Sequence, residues 1–94
     1  MRKSEDKKPL ANPAAILREE FDDWAILFDQ EINDGYGLNP VSVLIWKCLD
    51  GKHSIKDIAG VVRQRCKNVP PEAEEHIQSF ISELVKKGLA GYQA

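Results

Sequence analysis

LNPVSVLIWKCLDGKHSIKDIAGVVRQRC, residues 38–66, reads as two amphipathic helices joined by a tight turn. Asn39 can cap the first helix, with Pro40 at its first position, where a missing N–H costs nothing. Val41, Leu44, Ile45, Cys48 and Leu49 recur at helical spacing and predict one buried face, with Trp46 off that stripe. Gly51 predicts the stop. Ser54 and Asp57 predict a capping box for the second helix, and Ile55, Ile58, Ala59, Val62 and Cys66 its buried stripe. Gly60 sits mid-helix at a cost of about 1 kcal/mol against alanine, so a close neighbour is expected there.

Downstream, NVPP (68–71) breaks the chain, and a third helix is expected from Pro71. Glu72, Glu74 and Glu75 fall in its first turn, where the helix dipole favours them. Ala73, Ile77, Phe80, Ile81, Leu84 and Val85 form its apolar face. Lys86 and Lys87 close its last turn, with Gly88 just past the end and Leu89 as the accompanying contact.

Upstream, residues 14–39 read as strands. AAILREEF predicts a first strand and DWAILFD a second, with Trp24, Ile26 and Phe28 on one face and Ala25 and Leu27 on the other. Apolar residues on both faces predict a strand covered on both sides. Asn33-Asp34-Gly35 is a hairpin signal, and GYGLN predicts a thin third strand that another backbone can approach closely. Residues 1–12 are polar, lysine-rich and without a period, and read as a disordered tail before a domain at 13–94. The predicted fold is a single α+β domain, winged-helix-like, with a three-stranded antiparallel sheet followed by a three-helix bundle (βββααα).

Ninety-four residues, 43% hydrophobic and 30% charged, make one globular domain with a small core. The apolar runs reach about five residues, against the roughly 20 that a membrane span needs. No apolar signal segment opens the chain, so a cytoplasmic location and no membrane partner are expected. Cys48 and Cys66 lack metal-ligand spacing; Cys48 falls on an apolar helix face and is expected to be a buried thiol. The net charge of −2 is unevenly distributed. Residues 13–38 hold one base and seven acids (net −6), whereas residues 39–67 hold six bases and two acids (net +4).

No catalytic constellation emerges. His53 lies in a turn and His76 in an acidic helix start. A His76–Glu72 metal pair is outweighed by simple solvation of both side chains, and the Glu19-Glu20 and Asp22-Asp23 pairs read as a solvated strand end. Gly35 and Gly37 are not followed by the lysine and hydroxyl of a phosphate loop. Neither an enzyme, a metal nor a cofactor is expected.

Two binding roles remain. A winged-helix DNA-binding transcription regulator would place Lys47, Lys52, Lys56, Arg63, Arg65 and Lys67 on phosphates. Its reading helix would be the third, which opens with glutamates, and too few residues follow for a wing. Nucleic acid is therefore not the expected partner. The other role is peptide binding by strand addition, with GYGL as the edge.

LNPVSVLIWKCLDGKHSIKDIAGVV followed by VPPEAEEHIQSFISELVKKGLA, with WAILFD…GYGLN upstream, resembles the PqqD family over about residues 14–90. The resemblance implies a non-catalytic peptide chaperone. It would bind the leader of a ribosomally made precursor peptide by strand addition and present it to a radical SAM modifying enzyme. It implies an edge at Tyr36, Gly37 and Leu38, faced by Ile77, Ile81, Leu84 and Val85 of the third helix. On this reading Leu38→Asp abolishes peptide binding and leaves the fold intact. The open edge also suits either a monomer or a strand-exchanged dimer. The turn DQEINDGYG is longer than in members devoted to pyrroloquinoline quinone synthesis, which leaves the pathway open. The acidic sheet half would suit a basic leader, and the basic second helix would suit the enzyme.

Overall fold

A computed structural model describes residues 8–29 and 35–93. The hairpin signal at Asn33-Asp34 lies outside the described residues, as do residues 1–7 of the expected tail. Eight elements follow in order: β1 (Lys8–Ala11), β2 (Ala15–Glu19), β3 (Ala25–Asp29), β4 (Gly35–Leu38), α1 (Pro40–Lys47), α2 (Ile55–Arg65), α3 (Ala73–Lys86) and β5 (Ala90–Gln93).

The predicted three-stranded meander is present as the antiparallel sheet β2-β3-β4, and the three helices follow it. The order βββααα is incomplete, however, because β1 and β5 add a second antiparallel sheet. Lys8–Ala11, expected in the tail, is therefore a strand, with Leu10 opposite Gly91 and Ala11 opposite Ala90. Pro9 is fully buried. The Ala11 N–H donates to the Leu49 carbonyl and the Asn12 N–H to the Leu89 carbonyl, both at 2.9 Å. The Asn12 side-chain amide donates to the Gly88 carbonyl at 2.8 Å. The C-terminal strand closes onto the N-terminal one instead of forming a wing hairpin.

The caps that open α1 and α2 and the glycine after α3 agree with the sequence, whereas α1 stops at Lys47, short of Gly51, and α3 starts at Ala73, past Pro71. The Asn39 side chain accepts from the Ser42 N–H, with Pro40 opening α1. At the start of α2, the Asp57 N–H donates to Ser54 Oγ at 3.1 Å and the Ser54 N–H donates to Asp57 Oδ2 at 3.0 Å. Gly88 adopts φ 77°, a left-handed conformation that a side chain resists, just past the end of α3.

The core lies between the inner sheet face and the three helices. Ala25, Leu27 and Leu38 meet Ile45, Ile58, Val62, Ile77, Ile81 and Leu84 there. Cys48 is buried as expected. Three packing expectations are corrected. The buried face of α1 is turned, so that Val43 and Trp46 lie inside while Val41 is exposed. Gly60 has no neighbour within 4 Å of the place a Cβ would occupy. Among the described residues no layer covers the outer sheet face. Ile26 and Phe28 are only half-buried there and lean over Gly35, whose added Cβ would stand 3.1 Å from Ile26 Cγ2 and 3.7 Å from Phe28 Cε1. The glycine supplies the room in which those side chains find partial shelter.

Candidate functional site

Strand β4 lies at one edge of its sheet, with β3 as its only hydrogen-bonded neighbour among the described residues. Backbone polar groups alternate sides along a strand, so one bond sets the phase of the rest. The Glu20 N–H donates to the Trp24 carbonyl at 2.7 Å, so Trp24 faces β2. Alternation then turns Ala25 and Leu27 towards β4, opposite Leu38 and Tyr36. The N–H and C=O groups of Gly35 and Gly37 are left pointing out of the sheet. These two glycines are exposed, and an added Cβ at Gly37 would meet nothing within 4 Å. The open edge is thus formed by the residues that obstruct an incoming backbone least.

The residue between the glycines points the other way. Tyr36 is half-buried and its ring stacks on Phe80 of α3, with centroids 6.4 Å apart and planes within 15°. The Lys87 ammonium sits 5.5 Å from the Tyr36 ring centre, within the range of a cation–π attraction. Burial, and secondarily the negative charge of Glu83, raise the Tyr36 phenol above its ordinary value. It is therefore neutral at physiological pH, a hydrogen-bonding tip on an apolar body. Phe80 also lines a cleft of about 250 Å³ where the end of β4 meets the helices. Asn39, Val41 and Ile45 form one side of this cleft, and Cys66, Val69 and Ile77 contribute to the other.

The residues expected at the edge and on the helix thus divide by depth. Tyr36 and Gly37 are accessible, and Val85 is half-buried. Leu38 (1% exposed), Ile77 (3%), Ile81 (0%) and Leu84 (0%) are in the core. They hold the strand against the helix from behind. Phe80 is on the predicted apolar face yet was not expected at the edge, and neither Glu83 nor Lys87 was. The available signal was a single large aromatic residue flanking the Ile77/Ile81/Leu84 stripe. Periodicity alone does not say that it is the flank which meets β4.

No group of three or more His, Cys, Asp and Glu side chains is placed to hold a metal ion among the described residues. None of the described helices is long and apolar enough to cross a membrane.

Several known proteins share this architecture. TbiB1, in complex with the TbiA(beta) leader peptide, is 22% identical over 90% of this chain and 99% of its own, with a TM-score of 0.73. Lasso peptide synthetase B1, complexed with the leader peptide, is 23% identical over 89% of this chain and 98% of its own, at 0.74. The heterocyclase TruD is 18% identical over 94% of this chain but only 12% of its own, at 0.64. These likenesses establish the fold. No curated protein matches the chain in sequence. The family model of coenzyme PQQ synthesis protein D (PqqD) matches residues 25–90, from the first residue of β3 to the first of β5. With well over half of its length matched, the chain belongs to the PqqD family.

Proposed function

We propose that this protein is a non-catalytic, cytoplasmic recognition domain that binds the leader of a ribosomally made precursor peptide. The leader adds as a strand to β4, and the domain holds it for a modifying enzyme, of the radical SAM class that the family resemblance implies. The observation that carries this reading is the open glycine edge beside an aromatic-lined helix. Main-chain bonds to Gly35 and Gly37 supply affinity, and alternate peptide side chains supply specificity. Those on the inner side meet Tyr36, Phe80 and Val85, with Gly37 admitting the backbone. Leu38, Ile77, Ile81 and Leu84 support the groove from the core. Membership of the PqqD family supports this role, as do leader-bound TbiB1 and lasso peptide synthetase B1. The strand Lys8–Ala11 is counted into the recognition domain. A second copy pairing through the same edge would compete with the peptide, so peptide binding and strand exchange through β4 exclude each other. The DNA-regulator reading gains nothing from the fold, because α3 opens with Glu74 and Glu75 and β5 is paired with β1.

The test is titration of the isotope-labelled domain with a candidate precursor leader peptide. Amide shifts are expected at residues 35–39 and along α3. Gly37→Pro removes one edge donor at a strand position where proline is tolerated. It is expected to weaken binding about tenfold or more while the thermal transition stays cooperative. Shifts confined to α2, with residues 35–38 silent, would refute strand addition.

A further inference from the structure

The opposite side of the sheet carries a second surface. In the β2–β3 ladder Glu19 stands opposite Ala25, which puts Glu20 opposite Trp24. The turn, however, closes between Phe21 and Trp24, the Trp24 N–H donating to the Phe21 carbonyl at 3.3 Å. Phe21 is therefore one residue too many in its strand, a bulge of the kind that re-aims a side chain. It is 81% exposed, more than any other large apolar residue described, and Trp24 beside it is 52% exposed. Between them Asp22 and Asp23 both adopt left-handed conformations, φ 61° and 64°. Two such residues form the tight turn that suits hairpin twist, but glycine and asparagine take it with less strain. The hairpin thus combines a bulge, a strained turn and two solvated aromatic rings.

The acids around these rings outnumber the bases. Glu19, Glu20, Asp22 and Asp23 surround them, all exposed. Arg18 pairs with Glu20 and Lys47 with Glu19, each at 3.2 Å. Neither Asp22 nor Asp23 makes a salt bridge among the described residues. A second copy meeting this surface about a twofold axis would set the same acids against each other. The binding edge of β4 lies on the far side of β3, so the hairpin tip stays available while a peptide is bound.

We propose that the β2–β3 hairpin tip docks the modifying enzyme. Phe21 and Trp24 enter an apolar pocket on that enzyme, and lysine or arginine side chains around the pocket meet the acidic rim. The proposal rests on the peptide-recognition reading for the identity of the partner. The basic face of α2 is the competing surface, with Lys56, Arg63 and Arg65 exposed and Lys67 exposed just past its end. None of the exposed large apolar residues belongs to α2. Charge alone steers an encounter, whereas aromatic anchors hold it.

The experiment measures two affinities for each protein, one for a radical SAM peptide-modifying enzyme and one for the leader peptide which that enzyme's substrate carries. Phe21→Ser/Trp24→Ser is compared with Arg63→Glu/Arg65→Glu, and circular dichroism melting checks the fold. Phe21→Ser alone serves as the second variant if the pair fails to fold. The hairpin variant is expected to bind the enzyme at least about tenfold more weakly and to bind the leader unchanged. Enzyme association by the wild-type protein is expected to slow as salt rises. Unchanged enzyme binding by the hairpin variant overturns the proposal. So does a loss confined to the α2 variant, or no enzyme binding by the wild type. Failure of the wild type to bind leader refutes the peptide reading separately, and the docking surface is then judged on the enzyme arm alone.

Discussion

Leu38 illustrates how one residue serves both strand and core. It ends the edge strand, with Gly37 on the open edge beside it, yet its own side chain is 1% exposed and packs among helix residues. Truncation to alanine is therefore expected to cost about 2–5 kcal/mol, readable as a lower urea midpoint. Leu38→Asp would bury a carboxylate and is expected to unfold the domain, against the intact fold that the sequence alone predicts. Gly37, one position earlier, gives the contrasting outcome, because nothing lies within 4 Å of its missing side chain. The sequence marks both as edge residues. A period of two separates their faces, but it does not say which face is inside when both neighbours of Tyr36 are glycines.

Among the elements, α2 owes its start to a local device. Ser54 and Asp57 satisfy each other's backbone N–H groups, so Ser54→Ala is expected to cost about 1 kcal/mol by denaturant unfolding. The Ser54 N–H, and then its hydroxyl, hold the Asp57 carboxyl below its ordinary value. Bonds from His53 and the Lys52 N–H do the same for Asp50 in the α1–α2 turn. A carboxyl lowered on folding adds stability above its unfolded value, and that stability is lost as pH falls through the folded value. Thermal stability is thus expected to decline below about pH 4, and less steeply in Asp57→Asn. This element was legible from sequence because its cap spans only four residues. The α1 face was less so, since Val41, Val43, Leu44, Ile45 and Trp46 offer apolar residues nearly all round. Packing against the sheet and α2 turned Val43 and Trp46 inward.

At the scale of the whole molecule, the two ends of the chain form a clasp. β1 pairs with β5, Pro9 is fully buried, and the Gly51 N–H donates to the Pro9 carbonyl at 3.1 Å. Deleting residues 1–11 is expected to lower unfolding free energy by about 2–4 kcal/mol, from lost burial and a few backbone bonds. If residues 8–11 were merely tail, the urea midpoint would not move. By itself the sequence determined the meander, the three helices, the caps that open α1 and α2 and the membership of Ile58, Val62, Ile77, Ile81 and Leu84 in buried stripes. Those features depend on neighbours within a few residues, where helix and strand periods and capping chemistry act. Only the tertiary structure decided the clasp, the facing of Tyr36 onto Phe80 and the division of edge residues into core and surface. Each of these joins segments distant in the chain. Neither Lys8–Ala11 nor Ala90–Gln93 carries a periodic signal strong enough to announce its partner, and each becomes a strand because the other is there.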